Sequence, residues 1–237
     1  MRIDIMTLFP DFVDYILSES IIGRARKSGV IDIRTHNIRD YAENKHRRVD
    51  DTPYGGGKGM LMAAPPIYNC YKAVTADCTE GEKPYVIYMS PRGSVFSQDK
   101  AKELAAHNRL VVLCGHYEGV DERIIEEIVD EEVSIGDYVL TGGEVPCCIV
   151  VDAVARLCDG VLADAECHEI ESFSDGLLEF PQYTRPYDFM GRVVPEVLTS
   201  GHHANIEKWR YEKSLELTRE RRPDLLEKAG KNQSSPK

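Results

Sequence analysis

A chain of 237 residues that is 42% apolar can build one large domain with a real core, or a domain of about 150 residues with a smaller partner. Its net charge of −11 argues on its face against a nucleic-acid partner, because phosphate binding wants basic surface. No apolar run reaches the length of a membrane helix, and polar and acidic residues interrupt the opening MRIDIMTLFPDF where a signal peptide would be apolar, so a soluble, cytoplasmic protein is expected. The charge is uneven, however. Residues 1–180 carry 18 Lys/Arg against 32 Asp/Glu, whereas residues 181–237 carry 11 against 8, a balance of +3. Ten carboxylates face Arg123 alone between Glu118 and Glu144, a stretch that should repel RNA while the tail attracts it. Seven cysteines without a CxxC pair suit scattered reduced thiols better than a disulfide framework or a zinc site.

Residues 2–8 alternate apolar and polar side chains as a strand does, and Pro10 opens a helical pattern that puts Phe12, Tyr15 and Ile16 on one face. A strand passing directly into a helix announces α/β architecture. Residues 31–34 form a second short strand candidate, and the chain is then polar from Asp40 to Gly59. Two further units repeat the alternation. Residues 85–89 read as a strand followed by the turn SPRGS and a helix over 98–106, and residues 110–114 as a strand followed by GHYEGVDE. An apolar helix is expected over 145–157, a linker rich in carboxylates over 162–173, and a helix capped by Asn205 and running to about Arg222, with Glu207 in its first turn. Prolines forbid a long helix in GLLEFPQYTRPYDF, and the KNQSSPK end reads as disordered.

The stretch SIGDYVLTGGE, residues 134–144, has the profile of a main-chain binding loop leading into a helix, because glycines let backbone approach a ligand and Pro146 is tolerated in a first turn. A tight strand-to-helix connection is the alternative reading. In an open parallel sheet ligands bind beyond the carboxyl ends of the strands, so this loop, residues 88–91 and residues 115–118 can converge on one pocket. Gly55, Gly57 and Gly59 satisfy a GxGxG spacing, but polar HRRVDDTPY precedes them in place of a strand, and Lys58 is followed by Gly59 where a phosphate-binding loop needs Ser or Thr. His202 and His203 lack further ligands at metal-binding spacing.

Taken together, the segments LFP at 8–10, VDDTPYGGGKGM at 49–60, YMSPRG at 88–93, LCGHYEGVDER at 113–123, SIGDYVLTGGE at 134–144, DAVAR at 152–156, GLLEFPQYTRP at 176–186 and SGHHANIEKWR at 200–210 have a clear likeness. The chain resembles the bacterial tRNA (guanine-N1)-methyltransferases of the SPOUT class from Met1 to about Leu226. The resemblance implies an α/β fold, a SPOUT-type parallel sheet with a C-terminal trefoil knot, followed by a small all-α domain. It implies a knotted S-adenosylmethionine-binding domain over 1–161, a flexible linker over 162–175 and a helical tRNA-binding domain over 176–237. It also implies a homodimer with the active site at the subunit interface, and a requirement for Mg²⁺ whose ligands are unknown. By the same resemblance Gly115, Tyr117, Glu118, Ser134, Ile135, Gly136, Asp137, Tyr138, Val139, Leu140, Gly142, Gly143 and Pro146 surround the cofactor, and Tyr88, Met89, Ser90 and Pro91 form its adenosine-side wall.

Methylating guanine N1 needs a base for its proton and a positive group for the charge moving onto O6. The resemblance assigns the first role to Glu171, where the family pattern has aspartate before Ser-Phe and where Glu169 stands two residues away, and the second to Arg156. Lys45, Arg47, Arg48 and Asp51, with Lys208, Arg210 and Lys213, are candidate tRNA contacts. Two other readings stay open: a related knotted methyltransferase acting on a ribose 2′-oxygen or another base, and a non-catalytic RNA-binding protein that keeps the cofactor pocket. Residues 162–173 are expected to order only when cofactor and tRNA are both bound.

Overall fold

A strand without polar residues, such as LVVLC at 110–114, needs cover on both faces. The computed structural model describes residues 1–79, 81–162 and 171–233, and it supplies that cover. The chain divides into two compact units, Met1–Ala163 and Asp164–Lys237. In the first, the order is β1 (Arg2–Thr7), α1 (Pro10–Leu17), α2 (Ser20–Lys27), β2 (Asp32–Asn37), the short strands β3 (Asp50–Asp51) and β4 (Leu61–Met62), and α3 (Ala64–Val74). There follow β5 (Tyr85–Val95), α4 (Gln98–Ala105), β6 (Arg109–Cys114), α5 (Glu122–Ile128), β7 (Glu131–Ser134) and α6 (Glu144–Ala155). Five strands form one parallel sheet in the order β2-β1-β6-β5-β7.

Strand periodicity divides the core into two layers. Ile3, Ile5, Ile87, Leu110 and Val112 pack with Val13 and Leu17 of α1, Ala101 and Leu104 of α4, and Val150 and Val154 of α6. Met6, Val86, Val111 and Leu113 point the other way, against Ile67 and Val74 of α3 and Ile124 and Ile128 of α5. The chain passes from β6 through α5 to β7, which pairs with β5 on the far side. The carboxyl ends of β5, β6 and β7 are therefore neighbours although residues 89 and 134 are far apart in sequence.

The structure departs from the expected elements where tertiary packing sets the register. Phe12, Tyr15 and Ile16 are exposed, and α1 buries Val13 and Leu17 instead, the side turned toward β2 and α6. SPRGS is no terminal turn, because β5 continues through it to Val95. Helix α8 (His203–Arg221) begins before Asn205: His202 is its N-cap, without a side-chain hydrogen bond, and Asn205 N–H donates to the His202 carbonyl. A further helix, α9 (Pro223–Gln233), occupies part of the terminal stretch read as disordered, and residues 234–237 lie outside the described residues, as do 163–170 of the expected linker.

In the second unit α7 (Glu196–Thr199), α8 and α9 are joined by a two-stranded hairpin, β8 (Asp188–Phe189) with β9 (Arg192–Val193). Its turn needs two successive positive φ values, at Met190 (57°) and Gly191 (80°), and the Asp188 carboxylate accepts from the Gly191 N–H. Thr218, fully buried on α8, accepts from the Leu178 N–H at 2.8 Å and so ties the proline-rich segment to the helix.

Asp4 is fully buried in the central sheet. Its carboxylate accepts from Arg109 Nε at 3.0 Å, lies 2.9 Å from Arg2 Nε, and bonds His36 Nε2 at 2.9 Å. Burial alone would raise this carboxyl, but the hydrogen bonds from His36 and Arg2 and the Arg109 charge outweigh it and hold it below its ordinary value. A depressed folded pKa stabilises the fold above the unfolded value of about 3.9 and stops doing so as pH falls through the folded value. Asp4→Ala removes the buried carboxylate shared by Arg109, Arg2 and His36 and leaves the two arginines only their exposed-side partner Asp77, so it should cost about 1–3 kcal/mol at pH 7. The urea midpoint of the wild type should also fall more steeply than that of Asp4→Asn as pH is lowered from about 5; parallel pH curves would exclude this role.

Candidate active site

Strand β5 pairs with β7 twice, with Met89 and Ser94 both opposite Val133, so the residues between them leave the sheet as a bulge. The bulge holds because Gly93 lies so close to β7 that a Cβ there would stand 2.3 Å from the Glu132 carbonyl group. Ser90 Oγ accepts from the Arg92 N–H at 3.2 Å inside it. Arg92 is then drawn outward between Glu122 and Glu132, at 3.1 and 3.2 Å.

The loop after β6 meets the loop before α6 by main chain. Gly143 N–H donates to the Gly115 carbonyl at 2.8 Å, and His116 and Gly142 form an antiparallel bridge. Only glycine fits the crossing: a Cβ on Gly143 would stand 2.9 Å from Cys114 Cα and the Gly115 nitrogen, and one on Gly142 2.7 Å from His116 Nδ1. On its other side the 115–121 loop is held by the β3–β4 hairpin, through bonds from Glu118 N–H to Met60, from Met62 N–H to Gly119 and from Asp121 N–H to Met62. Gly59, at φ 97°, lies against the Glu118 carboxylate, with its hypothetical Cβ 2.5 Å from Oε1. The last glycine of GGGKG thus lets Glu118 pass.

These loops enclose a cavity of about 520 Å³ at the carboxyl ends of β5, β6 and β7. Tyr88, Met89, Ser90, Pro91, Gly115, Tyr117, Glu118, Ser134, Ile135, Gly136, Tyr138, Val139, Leu140, Gly142, Gly143 and Pro146 all line it. Asp137 does not: the turn at Gly136, φ 141°, leaves it exposed while Tyr138 N–H closes back on the Gly136 carbonyl. Leu61, Arg92, His116, Val120, Glu122 and Ile125 also line the cavity and escaped the sequence reading. Those at 116, 120 and 122 share the GHYEGVDE segment with the residues that were read, so neighbourhood was their signal; Leu61 reaches the wall only through a hairpin too short to be legible.

Burial pushes the Tyr88 hydroxyl up to about 12, which keeps it a neutral donor at physiological pH. Beneath the crossing, Glu144 is buried and accepts from Thr7 Oγ1 at 2.8 Å, and His116 Nδ1 is buried without a hydrogen-bond partner. Burial also raises the thiols of Cys114, behind the glycines, and Cys148, the latter to about 12.

Arg156 and Glu171 are not among the residues that line this cavity. Arg156 is the C-cap of α6 and lines a groove of about 630 Å³ with Ile16, Ile21, Val145 and Ile149, which are exposed apolar residues. Glu171 belongs to the second unit and lines a cavity of about 250 Å³ that also contains Arg210. Among the expected tRNA contacts, Lys45 and Arg48 are exposed, Arg47 is paired with Asp40, and Asp51 caps the Thr52 N–H. Lys208, Arg210 and Lys213 each face a glutamate of their own helix, so α8 offers less free positive charge than its lysines and arginines suggest. Glu169 lies outside the described residues. Among those described, no group of three or more His, Cys, Asp or Glu is arranged to hold a metal ion, and no helix is long and apolar enough to cross a membrane.

A family model described as tRNA (Guanine-1)-methyltransferase matches residues 1–228. A protein of Ruminiclostridium cellulolyticum named tRNA (guanine-N(1)-)-methyltransferase is 56% identical to this chain over 228 residues, covering 96% of this chain and 97% of its own length. One of the same name from Lachnospira eligens is 57% identical over 234 residues, covering 99% and 98%, and one from Clostridioides difficile is 52% identical over 229 residues, covering 97% and 99%.

Gly143→Ala tests the crossing. A methyl group set against backbone on two sides cannot be relieved by a rotamer change, so the variant should lose about 1–3 kcal/mol in urea unfolding, and a wild-type midpoint would show that the loops yield.

Proposed function

This chain belongs to the tRNA (guanine-1)-methyltransferase family and is a methyltransferase of guanine N1 in tRNA; we propose that its target is the guanosine just 3′ of the anticodon and that its donor is S-adenosylmethionine, held in the glycine-walled cavity. The observation that carries the donor site is the crossing of the 115–119 and 134–143 loops, where Cβ atoms at Gly115, Gly142 and Gly143 would fill the space or strike backbone. A cavity of about 520 Å³ with main-chain walls, apolar Leu140 and Pro146, and the Tyr88 hydroxyl suits an adenosine carrying a short polar tail. We read the same crossing as part of a trefoil knot of the SPOUT type. Among the described residues no group of three or more His, Cys, Asp or Glu is arranged to hold Mg²⁺.

When bound, S-adenosylmethionine would supply an electrophilic methyl carbon, whose bond to the sulfonium sulfur breaks as it is transferred, with the electron pair of that bond leaving on sulfur as the neutral thioether. Glu171 accepts the N1 proton on its carboxylate as the nitrogen pair turns to that carbon, and Arg156 faces the negative charge that moves onto guanine O6. In this reading the two residues meet the cavity in a dimer, where the exposed Ile16, Ile21, Val145 and Ile149 are covered by a second copy and Glu171 serves the partner subunit's cofactor. An apolar patch of this kind on a surface helix supports such cover, since isolated domains rarely leave one open. The second unit then grips tRNA with Lys208 and Lys213 at phosphates, and Lys45 and Arg48 of the first unit are further phosphate contacts.

Methylation of tRNA transcripts with and without the target guanosine tests the reading, and a methyl group recovered on ribose would overturn it. Glu171→Gln should lower kcat by about 10² to 10⁴, and Arg156→Ala by about 10² to 10³, with both variants folded. Ile149→Asp should sediment as a monomer and lose turnover; an active dimer would place the second copy elsewhere.

A further inference from the structure

Beside the cavity, three aromatic side chains meet where β1 and β6 end. The His116 ring touches both of the others, with centroids 5.0 Å from Phe9 and 4.8 Å from Tyr117. Phe9 and Tyr117 are nevertheless exposed, at 43% and 41%. Phe9 is the N-cap residue of α1, and its N–H donates to Thr7 Oγ1 at 3.0 Å. Tyr117 stands at φ 60°, in the left-handed region that a residue with a Cβ occupies at a cost. The turn closed by Gly119 N–H on the His116 carbonyl holds it there. Glycine would take this turn without strain, so what tyrosine adds at the position is its ring. Arg39, on the helical turn Ile38–Tyr41 that follows β2, donates from Nη2 to the Tyr117 hydroxyl at 3.3 Å. Arg47 is tied to Asp40, whereas Arg39 forms no ion pair among the described residues.

We propose that Phe9 and Tyr117, braced by His116, are a stacking platform for one unpaired base of the RNA, the neighbour of the guanosine that enters the cavity, and that Arg39 meets the phosphate joining the two. The inference rests on that cavity being the place where the target guanosine is methylated. A base that leaves its stack to reach a pocket deprives its neighbour of a stacking partner. Exposed aromatic rings replace that partner, and they do so for any base, since every base has a π face. Strand order supplies the placement. The cavity lies at the ends of β5, β6 and β7, the platform at the ends of β2, β1 and β6, and His116 and Tyr117 belong to both. A second copy of the chain is the other cover to weigh. Neither Phe9 nor Tyr117 lines the groove at Ile16 and Ile149, and a guanidinium without a carboxylate partner beside the rings suits a phosphate better than an apolar dimer face.

Two tRNA transcripts, carrying 2-aminopurine on one side of the target guanosine or on the other, read the stack, because this base loses fluorescence when stacked. Bound to the wild type, one of the two should be quenched, and bound to Phe9→Leu the same transcript should emit severalfold more. Phe9→Leu should raise the KM for tRNA about tenfold, the magnitude of one lost base–aromatic stack, and leave the KM for S-adenosylmethionine at its wild-type value. An abasic nucleotide at the quenched position should cost the wild type the same factor and cost Phe9→Leu nothing further. Arg39→Gln should raise the KM for tRNA and lower its salt slope by about one unit, and it carries the test should Phe9→Leu fail to fold. Equal emission from the wild-type and Phe9→Leu complexes, or a wild-type KM and salt slope in Arg39→Gln, overturns the inference. A Phe9→Leu chain that sediments as a monomer with the quench intact assigns the ring to a dimer face and overturns it as well. If the wild type methylates the unmodified transcript at another nucleotide, the target assignment has failed rather than the platform, and 2-aminopurine beside that nucleotide gives the same comparison.

Discussion

The bond from Gly143 N–H to the Gly115 carbonyl is where the two halves of the sheet's upper edge become one object. Parallel strands leave their carboxyl ends open, and the loops that follow them are ordinarily independent. Here β7 lies beyond β5, so the loop returning from it toward α6 must pass the loop that leaves β6. Two main chains can lie that close only where side chains are absent. The glycines are thus a condition of the topology first and a feature of the cavity second, and the hydrogen bonds at Met60, Met62 and Gly119 fasten the same loop from outside.

Much of this was legible in the sequence for a physical reason. Strands covered on both faces, such as LVVLC, are apolar throughout, and a glycine pair ahead of an apolar helix marks close backbone approach. The residues that the family resemblance placed around a cofactor, Asp137 excepted, accordingly line one cavity. The pattern that put Phe12, Tyr15 and Ile16 on one helix face left open that this face is exposed, because periodicity states that a helix has a face and does not state what lies against it. The likeness of the 200–210 segment to its family said nothing about where α8 begins, and the β5 bulge is written in a single contact, Gly93 against Glu132, between residues 39 positions apart. That Arg156 and Glu171 are not among the residues lining the cavity could not be read at all, since a resemblance assigns a residue its role without saying which wall it joins.

Charge was the most misleading summary. The acidic stretch from Glu118 to Glu144 reads as one repulsive face, yet Glu122 and Glu132 hold Arg92, Asp130 holds Lys83, Glu131 holds Lys100, Asp121 holds Arg123, and Glu144 is buried on Thr7. Those carboxylates are structural ties spread over several elements. The basic tail shows the same effect in reverse, with Lys208, Arg210 and Lys213 paired along α8. Net charge counts residues, whereas a polyanion meets only what local pairing leaves over.

The cysteines behind the glycine crossing carry a consequence for the chemistry of a methylating enzyme. A thiolate is a far better nucleophile than guanine N1, and one beside a sulfonium would be alkylated by the enzyme's own donor. Cys114 ends the strand that leads into Gly115, and Cys148 is a buried residue of α6, the helix that Gly143 caps. Burial holds both thiols protonated, Cys148 up to about 12 and Cys114 well above its ordinary value. The packing that brings the loops together thereby also holds these two buried sulfurs as neutral thiols, the form that does not attack a methyl donor.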